Sequence, residues 1–253
     1  MRIQHGTRRI GTVQVSIMPF NGFPPETILF LSEIIAHNDK EWFEANKELY
    51  RQCILQPTQA YVEEMGEHLQ ILVPTIHATP KINHSLFRIY RDARRHPTRP
   101  IKERIGMIFW QGAGHRMSSS SFYLHFDTNE VLIAAGIRTF KPPLLATYRD
   151  YIQVAEHREE LHAILEDLQA KGYLLPEPKY KRLPRECDPD MTHPYLAKLG
   201  GVFVRFAYPI DGTFYSEGLI DRNFAHYETL LPLQQWVYRM TRHATARSHD
   251  AHD

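Results

Sequence analysis

Two strand-like runs, Ser121–Phe126 and Val131–Ile137, are separated only by Asp127-Thr128-Asn129-Glu130. Apolar, aromatic and β-branched residues suit a pleated surface, and an Asp/Asn cluster between two such runs is turn chemistry. The middle of the chain is therefore read as an antiparallel hairpin. Leu86–Arg91 and Val202–Tyr208 read as further strands, Ile105–Trp110 as an additional candidate, and Gln111–Ser121 as a loop.

Outside this region the period changes. A first helix is expected to open at Pro24-Pro25-Glu26, where proline suits the first turn and an acid suits the positive end of the dipole. Its Ile28, Leu31, Ile34 and Ile35 follow 3-4 spacing. A second helix is expected to be capped by Asn38 with Glu41 three residues on, and Pro57 should kink or restart it. Helices return from Pro142 to Ala155 and from about Arg158 to Lys171, the latter stopped by Gly172. A closing helix is expected from Asp221 to about Thr241. Sheet in the middle with helices on either side predicts an α+β fold: a single domain over residues 19–242, with an antiparallel central sheet packed by helices from the N- and C-terminal parts. Residues 1–18 read as an arm or edge strand, and 243–253 as a disordered tail.

Composition excludes some classes. Thirty Lys and Arg against 29 Asp and Glu leave no global field for nucleic acid or an anionic membrane. Cys53 and Cys187 are too few for a disulfide framework and read as two lone buried thiols. Residues 1–15 carry no apolar signal core, and no run approaches the ~18 apolar residues of a membrane helix. The expectation is a soluble cytoplasmic protein with no membrane partner. Oligomeric state has no signature.

Charge is concentrated in one place. Arg88, Arg91, Arg94, Arg95, Arg99, Lys102 and Arg104 face only Asp92 and Glu103 within a single segment, a local excess of five positive charges. Guanidinium forks match phosphate and carboxylate oxygens. If Leu86–Arg91 is a strand with Phe87 and Ile89 inward, Arg91 sits at the core margin and needs an acid, while Arg88 and Tyr90 face a cleft. Tyr123 and His125 share the polar face of their own strand, and His125 is placed for proton transfer. The candidate anion site is thus Arg88, Tyr90, Arg91, Asp92, Arg94, Lys102, Tyr123 and His125. The competing reading is a structural Arg–Asp network, a solvated basic loop and a half-exposed hairpin face.

Other clusters are weaker. Cys187, Asp188, Asp190 and His193 can ligate metal, but their spacing fits a turn with Asx caps better than a zinc or calcium site. Asn38, Trp42, Asn46 and Tyr50 at four-residue intervals read as a capped core stripe rather than a ligand face. There is no G-x-G-x-x-G, P-loop, G-x-S-x-G or H-E-x-x-H. No metal or cofactor is expected, and no catalytic residue is assigned.

The order of motifs resembles a family. Phe20-x-Gly22-Phe23, Phe30-Leu31 and His37-Asn38-Asp39-Lys40-Glu41-Trp42-Phe43 with Asn46 and Tyr50 are similar to the opening of the domain of unknown function 2461 family. So are Arg88-Ile89-Tyr90-Arg91-Asp92-Ala93-Arg94 running to Pro100-Ile101-Lys102, and Phe122–Phe126 followed by Ala135-Gly136-Ile137. Leu183-Pro184-Arg185 with Asp188, His193-Pro194 and Lys198 close the series. The resemblance implies a fold continuous over nearly the whole chain and implies no reaction. Family members usually carry a Phe-Ser-Lys-Asp-Lys-Thr-Pro-Tyr-Lys-like loop after the first arginines. Here Arg95–Lys102 is shorter by one and lacks the acid and the tyrosine, so a function carried by that loop would be lost or altered.

Two functions follow from these residues. One is binding of, and action on, a phosphorylated or otherwise anionic small molecule through the arginine-rich segment. The alternative is a non-catalytic interaction module that grips nucleic acid with the same basic loop. The first needs a concave pocket, the second a convex basic surface.

Overall fold

The computed structural model describes residues 19–250 apart from Ala93. The arm or edge strand expected over residues 1–18 lies outside the described residues. Helix α1 spans Glu26–Ala36 and follows Pro24-Pro25 as expected. It buries Thr27, Phe30, Leu31 and Ile34, a face turned from the expected stripe, and leaves Ile35 exposed.

Helix α2 (Lys40–Ala45) is capped by Asp39, whose side chain accepts from the Trp42 amide at 2.8 Å. The expected cap, Asn38, is engaged elsewhere. Its amide donates to the Ile101 carbonyl at 3.0 Å and its oxygen accepts from the Ile101 N–H at 2.9 Å. Trp42, Asn46 and Tyr50 are structural too: Trp42 packs on Phe30, Asn46 binds the Trp42 carbonyl and Tyr50 is buried.

After α3 (Lys47–Tyr50) the chain widens into a π-turn, Arg51–Leu55, and continues as α4 (Gln56–Leu72). Pro57 explains the irregularity. It has no N–H for the carbonyl of Cys53 four residues back, and that carbonyl instead accepts the buried Thr27 hydroxyl at 2.6 Å.

The sheet has five antiparallel strands in chain order: β1 (Ile76–His77), β2 (Ile105–Gln111), β3 (Ser121–Phe126), β4 (Glu130–Ile137) and β5 (Val202–Pro209). The hairpin stands where expected, with Phe126 opposite Val131 and Ser121 opposite Gly136. Asp127 holds its turn by accepting from the Asn129 and Glu130 amides. Leu86–Arg91, in contrast, is not a strand. It touches its neighbours at isolated points, Leu86 with Met107 and Tyr90 with Ile101. The two residues of β1 carried no recognised strand signal.

Helices α5 (Pro142–Tyr151) and α6 (Ala155–Ala170) are inserted between β4 and β5. Gly172 follows α6 at φ +85°, which explains the stop. The last helix, α7 (Gly218–Asp250), carries helical backbone into the segment expected as a disordered tail, and residues 251–253 lie outside the described residues.

One face of the sheet is the core. Phe109, Phe122, Leu124, Phe126, Val131, Ile133 and Val204 are buried there. Tyr227 of α7 packs on Phe122 at 5.0 Å, and Phe126 packs between Phe23 and Phe214. Cys53 and Cys187 are both buried and unpaired, as expected. Among the described residues no helix is long and apolar enough to cross a membrane.

Candidate functional site

The alternation that buries Phe122, Leu124 and Phe126 aims Ser121, Tyr123 and His125 at the opposite face of the sheet. A cleft of about 620 Å³ lies there. Its floor is Gly106 and Ile108 of β2, Tyr123 and His125 of β3, Leu132 and Gly136 of β4, and Phe203 and Arg205 of β5. Gly106 stands directly opposite His125. A Cβ there would lie 3.1 Å from the Tyr123 hydroxyl and 3.2 Å from the Phe87 ring, so the glycine admits both aromatics.

The walls are cationic. Lys102 and Arg104 enter just before β2, Arg116 comes from the short 3₁₀ turn Arg116–Ser118, and Arg138 and Lys141 follow β4. With Arg205 they make six positive side chains against two carboxylates, Asp127 and Glu130. No carboxylate of the described residues pairs with any of the six within salt-bridge distance. A chain of formal net charge +1 has thus collected several positive side chains in one concavity.

Two of these cations are fixed. Arg116 donates to the carbonyls of His84 and Leu86 and lies 4.4 Å over the Phe87 ring. Lys102 Nζ donates to the Arg88 carbonyl at 2.6 Å and lies 5.8 Å from the same ring. Burial, followed by the charges of Arg88, Arg104, Arg116 and Arg91, pushes the Lys102 ammonium down to about 8. Burial first, then Arg104, brings the His125 imidazole down to about 4 against the opposing pull of Asp127. His125 Nδ1 is buried and has no hydrogen-bond partner among the described residues. At neutral pH the cleft therefore presents a neutral imidazole, and the Tyr123 phenol beside it is raised by burial.

Of the residues singled out from the sequence, Lys102, Tyr123 and His125 line the cleft and the other five do not. The reason is the missing strand. Residues 89–102 fold back on themselves, with Arg91 N–H donating to Pro100 O and Lys102 N–H to Ile89 O. Arg88 is exposed and offers the cleft only its carbonyl. Tyr90 donates to Glu44 at 2.7 Å. Arg91 approaches Glu103 at 3.5 Å, and Asp92 pairs with Arg94. Tyr90, Arg91, Asp92 and Arg94 thus have partners of opposite character outside the cleft.

Arg104, Arg116, Arg138, Lys141 and Arg205 were not assigned to the site from sequence. Arg205 had a signal, a charge on the face of its strand opposite Val202 and Val204. Arg138 and Lys141 lie just past the end of a strand, while Arg116 in its loop had none.

In the Cys187–His193 cluster Asp188 accepts from the Asp190 amide, an Asx turn. His193 is paired with Glu159 and stacked on His162. Among the described residues no three His, Cys, Asp or Glu side chains are grouped to hold a metal.

Residues 26–236 match the family described as Conserved hypothetical protein (DUF2461). The chain belongs to this family. The match runs from the start of α1 into α7 and contains every strand and every cleft residue, so the cleft is part of the DUF2461 domain rather than an appendage. No curated protein matches the chain.

Proposed function

We propose that the protein binds a phosphorylated or otherwise anionic small molecule on the face of its sheet opposite α7. The observation that carries this reading is the set of six cations around one cleft, none paired to a carboxylate among the described residues. Arg104, Arg138, Lys141 and Arg205 are exposed, so they stand solvated and free to meet an anion, and guanidinium forks suit phosphate and carboxylate. The volume falls in the range of small-molecule sites, on the order of 300–1,000 Å³. Aromatic Tyr123, Phe87 and Phe203 provide apolar surface beside the charge. A cytoplasmic setting belongs to the same proposal, since two buried unpaired thiols fit a reducing compartment.

The alternative is a module that grips nucleic acid through the exposed loop, where Arg94, Arg95 and Arg99 lie. Calorimetric titration with pyrophosphate separates the two. Arg104→Ala and Arg205→Ala are each expected to weaken binding about tenfold, because a charge-assisted hydrogen bond contributes about 1.5–3 kcal/mol. Arg94→Ala should leave the affinity unchanged. The reverse pattern would move the function to the loop.

A further inference from the structure

We propose that Lys102 is a Schiff-base lysine, taking an aldehyde or ketone that also carries a phosphate or carboxylate group. The inference rests on the anion-binding reading of the cleft and assigns the class of ligand. Two lysines line the cleft. Lys141 is exposed, whereas Lys102 is half-buried, lies against Phe87 and is held by one hydrogen bond to the Arg88 carbonyl. That bond fixes the amine's direction and leaves the nitrogen lone pair available once a proton is lost.

An amine brought down to about 8 has roughly a quarter of its population neutral at pH 7.5, against about one part in a thousand for an ordinary lysine. Burial is the first cause of this shift, ahead of the charges of Arg88, Arg104, Arg116 and Arg91. Arg104 and Arg116 on the same wall would hold the anionic end and present the carbonyl carbon to the nitrogen.

The chemistry needs no further reagent. The nitrogen lone pair forms the C–N bond as the carbonyl π pair moves to oxygen, and that oxygen takes up a proton. The nitrogen pair then expels the C–O bond, and the two original amine hydrogens leave with oxygen as water. The product is an imine, reversible by hydrolysis.

The probe is pyridoxal 5′-phosphate, an aldehyde with a phosphate. Borohydride adds hydride to the imine carbon and fixes the adduct as a secondary amine for peptide mapping. In the wild-type protein Lys102 is expected to be labelled at least tenfold ahead of Lys141. Inorganic phosphate should suppress the label, and pyridoxal without phosphate should label weakly. Lys102→Arg, which keeps the charge and removes the amine, should abolish the label in a protein that still melts cooperatively.

Labelling spread evenly over Lys141 and the exposed lysines, with pyrophosphate binding intact, overturns the Schiff-base assignment alone. Equal labelling by pyridoxal and its phosphate overturns the anionic part. Absence of pyrophosphate binding overturns the reading of the cleft beneath both.

Discussion

The two faces of the sheet are written by the same strands and do opposite things. On β3, Phe122, Leu124 and Phe126 go one way and lock against α7 and the segments around Phe23 and Phe214, while Tyr123 and His125, one residue out of phase, go the other way to a floor walled by cations. The first face has helices to cover it. Over the second, among the described residues, stand Phe87, Lys102 and Arg104 and the loops around Arg116 and Arg138. Burial of apolar area is concentrated on one face, which leaves the other able to hold groups that cost stability: a desolvated imidazole and a half-buried ammonium.

The contrast should be largest in stability. Phe126→Ala removes a fully buried ring on the core face and is expected to cost about 3–5 kcal/mol in denaturant melts. Tyr123→Phe, on the cleft face, should stay within about 0.5 kcal/mol. A comparable loss at both positions would mean that the cleft floor is core after all.

Next in size is a pH effect confined to the cleft face. His125 is almost fully buried, and its folded value of about 4 lies below the ordinary 6.5. Between those values the unfolded chain binds a proton that the folded chain refuses. Stability is therefore complete above about pH 6.5 and is lost as pH falls toward 4. The loss should reach on the order of 3 kcal/mol across that window. In His125→Gln this component should vanish, so the wild-type and variant curves converge or cross on acidification. Parallel curves would show that His125 is solvated.

The smallest expected effect is at Arg91. If Leu86–Arg91 were a strand, Arg91 would be a buried partner of an acid, and removing it would cost on the order of 3 kcal/mol. Its guanidinium is instead a quarter exposed, and Glu103 keeps Arg99 at 2.8 Å. Arg91→Ala should cost no more than about 1 kcal/mol by thermal melt.

Legibility followed how local each decision is. The hairpin was readable because its turn and its alternation lie within seventeen consecutive residues. The same alternation put Tyr123 and His125 on one face, and the cleft keeps both. Asn38 was misread because its competitor is 63 residues away: the Ile101 backbone takes its side chain, and Asp39 caps the helix in its place. Leu86–Arg91 has strand composition, yet its backbone pairs at scattered points, Leu86 with Ile82 and Met107 and Tyr90 with Ile101, so composition did not decide. Arg104, Arg138 and Arg205 meet only through the registers of β2 to β5, which set Arg205 opposite Ala134 and His125 opposite Gly106. No window of sequence contains that meeting.

The central claim is that the cleft face, and not the basic loop, is where an anion sits. A crystal grown with pyrophosphate, refined with an anomalous or difference map, tests it most directly. The account predicts one anion above Tyr123 and His125, within hydrogen-bond reach of Arg104, Arg205 and Lys102. An anion held by Arg94, Arg95 and Arg99, with the cleft holding none, would contradict it.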